Sequence, residues 1–267
     1  MERGQIGIFA LGQSGFMIRF PTGRILVDGF FSHHPDRLVE SPFTASDAHG
    51  VDLIAFTHEH VDHMDLAAVP DLARASPECH FIAPRPCAAL VTGAGVAAER
   101  VLGMQPNEPI TLHEIEVHPV AARHAVNAGD PYTFGTEMSN GMVRFLGYVF
   151  RGGGVAIYHA GDTLDYEGLA DTLRSLEVDV ALLPINGRDP ERESRGIAGN
   201  LDAEEAANLA VQSNIDVVIP IHYDMFAANP GYPEKLVRSA RLRKARMKVI
   251  VLPAAESFVY TKTGPLL

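Results

Sequence analysis

Between residues 57 and 65 the chain reads Thr57-His58-Glu59-His60-Val61-Asp62-His63-Met64-Asp65, and no other stretch constrains the fold as tightly. Four metal-binding side chains occupy six positions, directly after an apolar run, Val51 to Phe56, that has the character of a buried strand. In an extended segment, side chains two apart point the same way, so His58 and His60 are placed to grip one ion. Asp62 and His63 lie just beyond, where the chain must turn, and can aim at a second ion. Unpartnered His and Asp are costly to bury, which disfavours a chance cluster at a strand end. Imidazole nitrogen and carboxylate oxygen suit zinc, manganese or iron. A zincin helix requires H-E-x-x-H, and here His58-Glu59-His60-Val61 is followed by Asp62, so that spacing fails. An iron triad of two His and one carboxylate leaves a ligand here without a job.

A site with two ions needs further ligands, and strand ends are where they can converge. His124 follows the run Val117–Ala121. Asp162 follows Val155–Tyr158 in His159-Ala160-Gly161-Asp162-Thr163, where glycine lets the backbone turn sharply. His222 ends Val217–Ile221.

Around these positions the first half reads as strand-rich. Ile6–Leu11, Gly15–Phe20 and Arg24–Asp28 are expected strands, with Pro21-Thr22-Gly23 as a hairpin turn. Gly12-Gln13-Ser14-Gly15 reads as a tight turn that can line the site; G-x-S-x-G is not met, so it is no nucleophile elbow. Asp65–Ala75 has helical periodicity, with Pro70 expected to break or kink it. Short helices are expected over Pro86–Thr92 and Ala97–Arg100, and strand structure over His80–Ala83 and Thr111–Ala121. Ala125 to Gly141 is a polar loop long enough to act as a lid. Val143–Phe150 and Val155–Tyr158 form an expected hairpin around Arg151-Gly152-Gly153-Gly154, a turn with no P-loop Lys-Ser/Thr behind it. The last third alternates: helix Leu164–Leu176, strand Val178–Leu183, helix Ala203–Ser213, strand Val217–Ile221, helix Pro233–Arg243, strands Lys248–Leu252 and Ser257–Thr261. The apolar runs at Val180–Leu183 and Val217–Ile219 read as covered on both faces, with helices outside. No linker composition, low-complexity tract or sequence repeat marks a boundary, so 267 residues read as one domain.

A net charge of −11 argues against nucleic acid as a partner. The basic run Lys235 to Lys248 reads as the solvated face of a helix. Two cysteines, Cys79 and Cys87, read as structural, which fits a reduced, cytoplasmic setting. Met1-Glu2-Arg3-Gly4-Gln5 does not resemble a signal peptide, and no apolar stretch is long enough to span a membrane. His33, His34 and His49 are expected to face solvent. The expected partners are a small-molecule substrate and a second copy of the chain.

Taken together, H-x-H-x-D-H, a lone His, G-D-T and a late His resemble the pattern of metallo-β-lactamase-fold hydrolases. Residues His58, His60, Asp62, His63, His124, Asp162 and His222 fill it, and the resemblance covers residues 6–261. It implies an α/β fold, a four-layer αβ/βα sandwich with the metals at one edge between two sheets. It also implies two divalent ions, manganese or zinc with iron as a further option. His58, His60 and His124 would hold one, Asp62, His63 and His222 the other, and Asp162 would bridge them. Within the superfamily the last third resembles the L-ascorbate-6-phosphate lactonase group. Leu183-Pro184-Ile185-Asn186-Gly187-Arg188-Asp189, Gly199-Asn200 and Ile219-Pro220-Ile221-His222-Tyr223-Asp224-Met225-Phe226 carry that likeness.

Two close divalent ions lower the pKa of a shared water, and one polarises the oxygen that becomes an oxyanion. Opening a lactone leaves an alkoxide that needs a proton. Asp62 is the expected shuttle and Tyr223 or His159 the expected donor. Arg188 and Arg195 are expected to anchor a phosphate, and Asn186 and Asn200 to fix hydroxyl groups. The competing expectations are a phosphodiesterase or nuclease on the same scaffold and, in another class, a non-catalytic metal-binding protein.

Overall fold

The computed structural model describes residues 1–124, 141–243 and 245–262. The lid expectation for 125–141 therefore falls, Gly141 aside, outside the described residues, as does Lys244.

The first sheet is built from β1 (Gln5–Gly12), β2 (Gly15–Arg19), β3 (Arg24–Val27), β4 (Leu53–Ala55), β5 (His80–Pro84), β6 (Val101–Met104) and the late strand β14 (Ser257–Thr261). The second is built from β7 (Ile110–Leu112), β8 (Ile115–Ala121), β9 (Leu146–Gly152), β10 (Val155–His159), β11 (Val180–Pro184), β12 (Val217–Ile221) and β13 (Lys248–Val249). Their orders are β14-β1-β2-β3-β4-β5-β6 and β13-β12-β11-β10-β9-β8-β7. Each begins with antiparallel hairpins and continues in parallel: β3 to β6 in one, β10 to β13 in the other. The two halves thus share a plan that no sequence repeat announces.

Among the described residues the α-helices are α1 (Val69–Ala75), α2 (Ala88–Gly93), α3 (Leu169–Ser175), α4 (Pro190–Ser194), α5 (Ala203–Gln212) and α6 (Pro233–Leu242), and all but the short α4 pack on the outer faces. The apolar residues sort into three clusters that define four layers. Ile8, Ile18, Ile25 and Leu53 of the first sheet meet Val117, Phe150, Ile157 and Ile219 of the second in a central cluster. Ala181, Leu183 and Val218 turn outward to Leu169, Leu173, Leu209 and Leu236 of the helices. Ile54, Phe81 and Ala83 face Val69, Leu72 and Val91 on the other side. Strands β11 and β12 are buried at every position, as fully covered parallel strands must be. Among the described residues no helix is long and apolar enough to cross a membrane.

Several expected elements shift. Pro70 does not break a helix; it sits in the first turn of α1, where its missing N–H costs nothing, and α1 begins only at Val69. Helix α3 begins at Leu169, because Leu164 instead forms a bridge with Arg123. The strand expected over Lys248–Leu252 shortens to Lys248–Val249. Helix α4, a strand at β6 and the separation of β7 from β8 were not resolved by periodicity alone; each is short. Helix α5 starts where Asp202 accepts from the Glu204 and Glu205 amides and Glu205 reaches back, a capping box. Both cysteines are free and buried.

Candidate metal centre

The parallel strands of both sheets end along one edge, and the loops that leave them hold the polar side chains. The first loop follows β4. His58 and His60 are not in an extended segment, as expected from their spacing, but in a series of bends that becomes a turn at Val61–His63. They converge all the same by presenting opposite nitrogens: His58 Nε2 and His60 Nδ1 are 3.0 Å apart. From the second sheet, His124 follows β8, Asp162 follows β10 and His222 follows β12. His222 has a left-handed backbone, φ 59°, which turns the chain straight after the strand. Gly161 is left-handed too (φ 58°), and a Cβ there would stand 2.7 Å from Thr57 Cβ. Only glycine lets the β10 loop close onto the β4 loop.

The resulting donors fall into sets whose ligand atoms lie within 4.8 Å of one another: His58, His60 and His124; Asp62, His63 and His222; and His58, His63 and Asp162. His124 Nε2 is 3.3 Å from His60 Nδ1. Asp162 lies between the first two sets. Its Oδ2 is 3.5 Å from His124 Nε2 and 3.3 Å from His222 Nε2, and its Oδ1 is 3.3 Å from His63 Nε2. Ligands about 2.0–2.1 Å from a tetrahedral ion lie about 3.3 Å apart, so these are ligand spacings. His63 Nε2 and Asp162 Oδ1 are buried without a well-formed hydrogen bond, which an ion between them would remedy. The donor set fits divalent metal.

The charges are arranged accordingly. Burial opposes charge on His63, but Asp162, Asp62 and Asp28 outweigh it and raise its pKa well above the ordinary value. Burial also opposes charge on His222, yet Asp162 and Asp62 push its pKa up to about 9. His58 and His124 go the other way, since burial dominates and lowers His124 to about 3. Asp62 and Asp162 remain carboxylates: burial resists this, but His63 and His222 hold both well below the usual range. In the metal-free protein, protons on His63 and His222 neutralise charge that a cation can neutralise instead.

Several supporting residues carry no motif. Asp28, wholly buried at the end of β3, accepts from Thr57 N at 2.9 Å and Thr57 Oγ1 at 2.7 Å. It also meets His63 Nδ1 at 2.7 Å. Asp65 accepts from the Phe31 and Ser32 amides at 2.9 and 2.7 Å, tying the ligand loop to the loop after β3. Phe145 packs edge-on to His124, with ring centroids 5.1 Å apart. Glu59 is ion-paired to Arg144 and accepts from the Cys87 thiol at 3.1 Å. Gln13, at the tip of the β1–β2 hairpin, reaches Asp62. A lone Asp after a short strand gives no signal, and a turn that can line the site does not say which ligand its Gln would meet.

The other expected residues separate. His159 is buried in β10, but its Nε2 donates to Ser14 O at 2.7 Å and its Nδ1 accepts from Gly161 N at 3.1 Å. With both nitrogens held by backbone it has no proton to offer, which corrects its expected role as donor. Tyr223 is half-buried, and burial pushes its hydroxyl up to about 12, so it stays protonated. Arg188 spends its fork on Glu205, two contacts of 2.7 Å, which corrects its expected role as a phosphate anchor. Arg195 is exposed and caps the end of α4. Asn186 and Asn200 do meet, 3.1 Å from Oδ1 to Nδ2, and Asn186 continues to Asn229 at 3.0 Å. Arg192, which the sequence did not single out, donates to Asn229 Oδ1 at 2.9 Å and Asn186 O at 2.8 Å. Of these groups, Asn186, Arg188 and Arg192 line a pocket of about 340 Å³, together with Asp202, Tyr232 and Lys235. Leu201, next to Asn200, donates its amide to Thr163 O at 2.8 Å, one residue from Asp162. Of the three histidines expected in solvent, His33 and His49 are exposed, but His34 is half-buried with its ring 5.4 Å from that of Phe226.

Comparison with known proteins agrees with this architecture. The family model described as "Beta-lactamase superfamily domain" matches residues 23–223. A Salmonella paratyphi B protein named "Probable L-ascorbate-6-phosphate lactonase" is 29% identical over 203 residues, which cover 74% of this chain and 56% of that protein. The chain thus spans little more than half the length of this relative. Igni18, described as a novel metallo hydrolase from the archaeon Ignicoccus hospitalis, superimposes with a TM-score of 0.75 at 22% identity, covering 97% of this chain and all of that one. The metallo-beta-lactamase fold protein YhfI from Bacillus subtilis gives 0.68 at 14% identity, covering 96% and 99%.

Proposed function

The chain belongs to the beta-lactamase superfamily and has the metallo-β-lactamase fold, and on that premise we propose that it is a metal-dependent hydrolase with a dinuclear site. In this reading residues 1–267 form one catalytic unit that opens a lactone of a small, sugar-derived, phosphorylated molecule. The observation that carries the dinuclear assignment is the position of Asp162, whose carboxylate lies 3.3–3.5 Å from nitrogens of both histidine sets. His58, His60 and His124 would hold one ion and Asp62, His63 and His222 the other, with Asp162 shared between the two sets. The bound ions supply Lewis acidity and a water acidified to near-neutral pKa.

The chain's own residues supply the rest. Asp28 fixes the tautomer of His63 by holding Nδ1, so that Nε2 faces the site. Asp62, a carboxylate beside His222, takes up a proton from the nucleophile. Tyr223, protonated across the neutral range, would give its own proton to the leaving alkoxide and regain one from solvent, to which Asp62 releases the proton it took. Asn186, which lines the neighbouring pocket and is held by Asn200 and Asn229, would meet a substrate hydroxyl there. The lactone assignment draws on the named lactonase relative and on these amides.

The test is metal analysis of the purified protein, coupled to a panel of lactones and phosphoesters assayed with Mn²⁺ or Zn²⁺ restored. Two ions per chain with lactone opening well above phosphoester cleavage is the expected result. Faster hydrolysis of bis(p-nitrophenyl) phosphate would instead identify a phosphodiesterase. Fewer than two ions with no turnover would identify a non-catalytic protein.

A further inference from the structure

Gln13 stands at the tip of the hairpin joining β1 to β2, on the sheet opposite the strands that carry Asp162 and His222. It is only 4% exposed. Its backbone is left-handed, φ 53°, a conformation that glycine or asparagine adopts more readily in a turn. A buried, left-handed glutamine is held there by its surroundings, and such positions concentrate at functional sites.

Three close contacts surround it. Its main-chain carbonyl accepts from His222 N at 3.0 Å. Its side-chain nitrogen lies 2.7 Å from Asp62 Oδ2 and 3.1 Å from His222 Nε2. Ionised Asp62 can only accept, so the amide nitrogen, not the oxygen, faces it. Oδ2 is also the oxygen turned toward the rest of its donor set, 3.4 Å from His222 Nε2 and 3.7 Å from His63 Nε2. The amide therefore grips the one Asp62 oxygen that a cation would take.

We propose that Gln13 is a positioning residue for one of the two ions: it locks the rotation of Asp62 and seats His222, so the first hairpin sets affinity at that ion alone. The inference rests on the dinuclear reading above and deepens it. A carboxylate held by a charge-assisted hydrogen bond presents one oxygen at a fixed angle, and ligands so oriented bind metal more tightly. Loss of such an outer contact weakens affinity about 10- to 100-fold.

The experiment is calorimetric titration of metal-free protein with Zn²⁺, supported by metal counts after dialysis. Wild type, Gln13→Leu and Gln13→Glu are compared, each verified as folded by circular dichroism. Loss of one event in His124→Ala and of the other in His222→Ala assigns the two binding events. The expected result is two events in wild type, with Gln13→Leu weakening only the event that His222→Ala removes, about 10- to 100-fold. Gln13→Glu, which exchanges the amide donor for an acceptor, alters that same event and leaves the event that His124→Ala removes unchanged. Unchanged events in Gln13→Leu, or equal weakening of both, overturns the proposal while leaving the dinuclear reading intact. A changed His124 event in Gln13→Glu also overturns it, because residue 13 then acts on both ions. Fewer than two events in wild type overturns both readings together.

Discussion

Asp28 Oδ2 lies 2.7 Å from His63 Nδ1, and that single contact decides which face of the imidazole looks into the site. Both side chains are wholly buried. Asp28 also takes the amide and hydroxyl of Thr57, the residue that opens the ligand loop. One carboxylate from β3 thus sets both the loop's starting point and the orientation of a ligand six residues later.

Asp28→Ala is expected to weaken metal binding about 10- to 100-fold by freeing the His63 ring. It also strands the Thr57 donors and a charged His63 in the interior, costing about 3 kcal/mol of folding stability. Metal titration and urea denaturation check the two effects separately.

Asp162→Ala removes the group shared by both histidine sets. The expected outcome is at most one retained ion per chain and turnover reduced at least about 100-fold. Retention of two ions after exhaustive dialysis would sink the bridging assignment.

Gly161→Ala tests backbone rather than chemistry. Its left-handed φ of 58° alone costs an alanine about 1–2 kcal/mol. Contact of the new methyl with Thr57 adds to this and displaces the neighbouring Asp162. Lower stability together with lower metal content is expected; lower stability at full metal content would mean that the loop absorbs the methyl elsewhere.

The pH dependence of the metal-free protein follows from opposing histidines. His222 is raised from 6.5 to about 9, so its contribution to stability is complete below about 6.5 and is lost as pH rises through 9. His124 is lowered from 6.5 to about 3, so its contribution is present above about 6.5 and is lost as pH falls toward 3. Denaturation midpoints are expected to be highest near pH 6.5 and to fall on both sides. Metal binding at pH 7 must displace the His222 proton, and calorimetry in buffers of different ionisation enthalpy counts it. A count of zero contradicts this assignment.

Arg188→Ala is expected to cost about 1 kcal/mol or less, because the pair it breaks with Glu205 is about one-third exposed. Metal content should not change, and neither should KM for an anionic substrate. A tenfold rise in KM would restore Arg188 as a substrate anchor.

The seven candidate ligands were legible because few structural needs place so many His and Asp at strand ends. The four-layer fold followed from the family pattern and from apolar runs such as Val180–Leu183. Asp28 was not legible, and of Gln13 only that its turn can line the site, because their roles depend on partners 35 and 49 residues away. His159 misled for a related reason: beside a ligand in sequence, it is consumed by Ser14 and Gly161 backbone. Arg188 and Arg192 look alike in the chain. Only packing against α5 reveals that Glu205 claims Arg188 while Arg192 goes to the asparagine cluster.

Each candidate ion draws its donors from both sheets: His58 and His60 with His124, Asp62 and His63 with His222. A cation bound there is also a rivet. Loading the protein with metal would fasten two halves of the polypeptide along their shared rim, so cofactor insertion would double as a late step of assembly. Stripping it would loosen that seam before either half came apart.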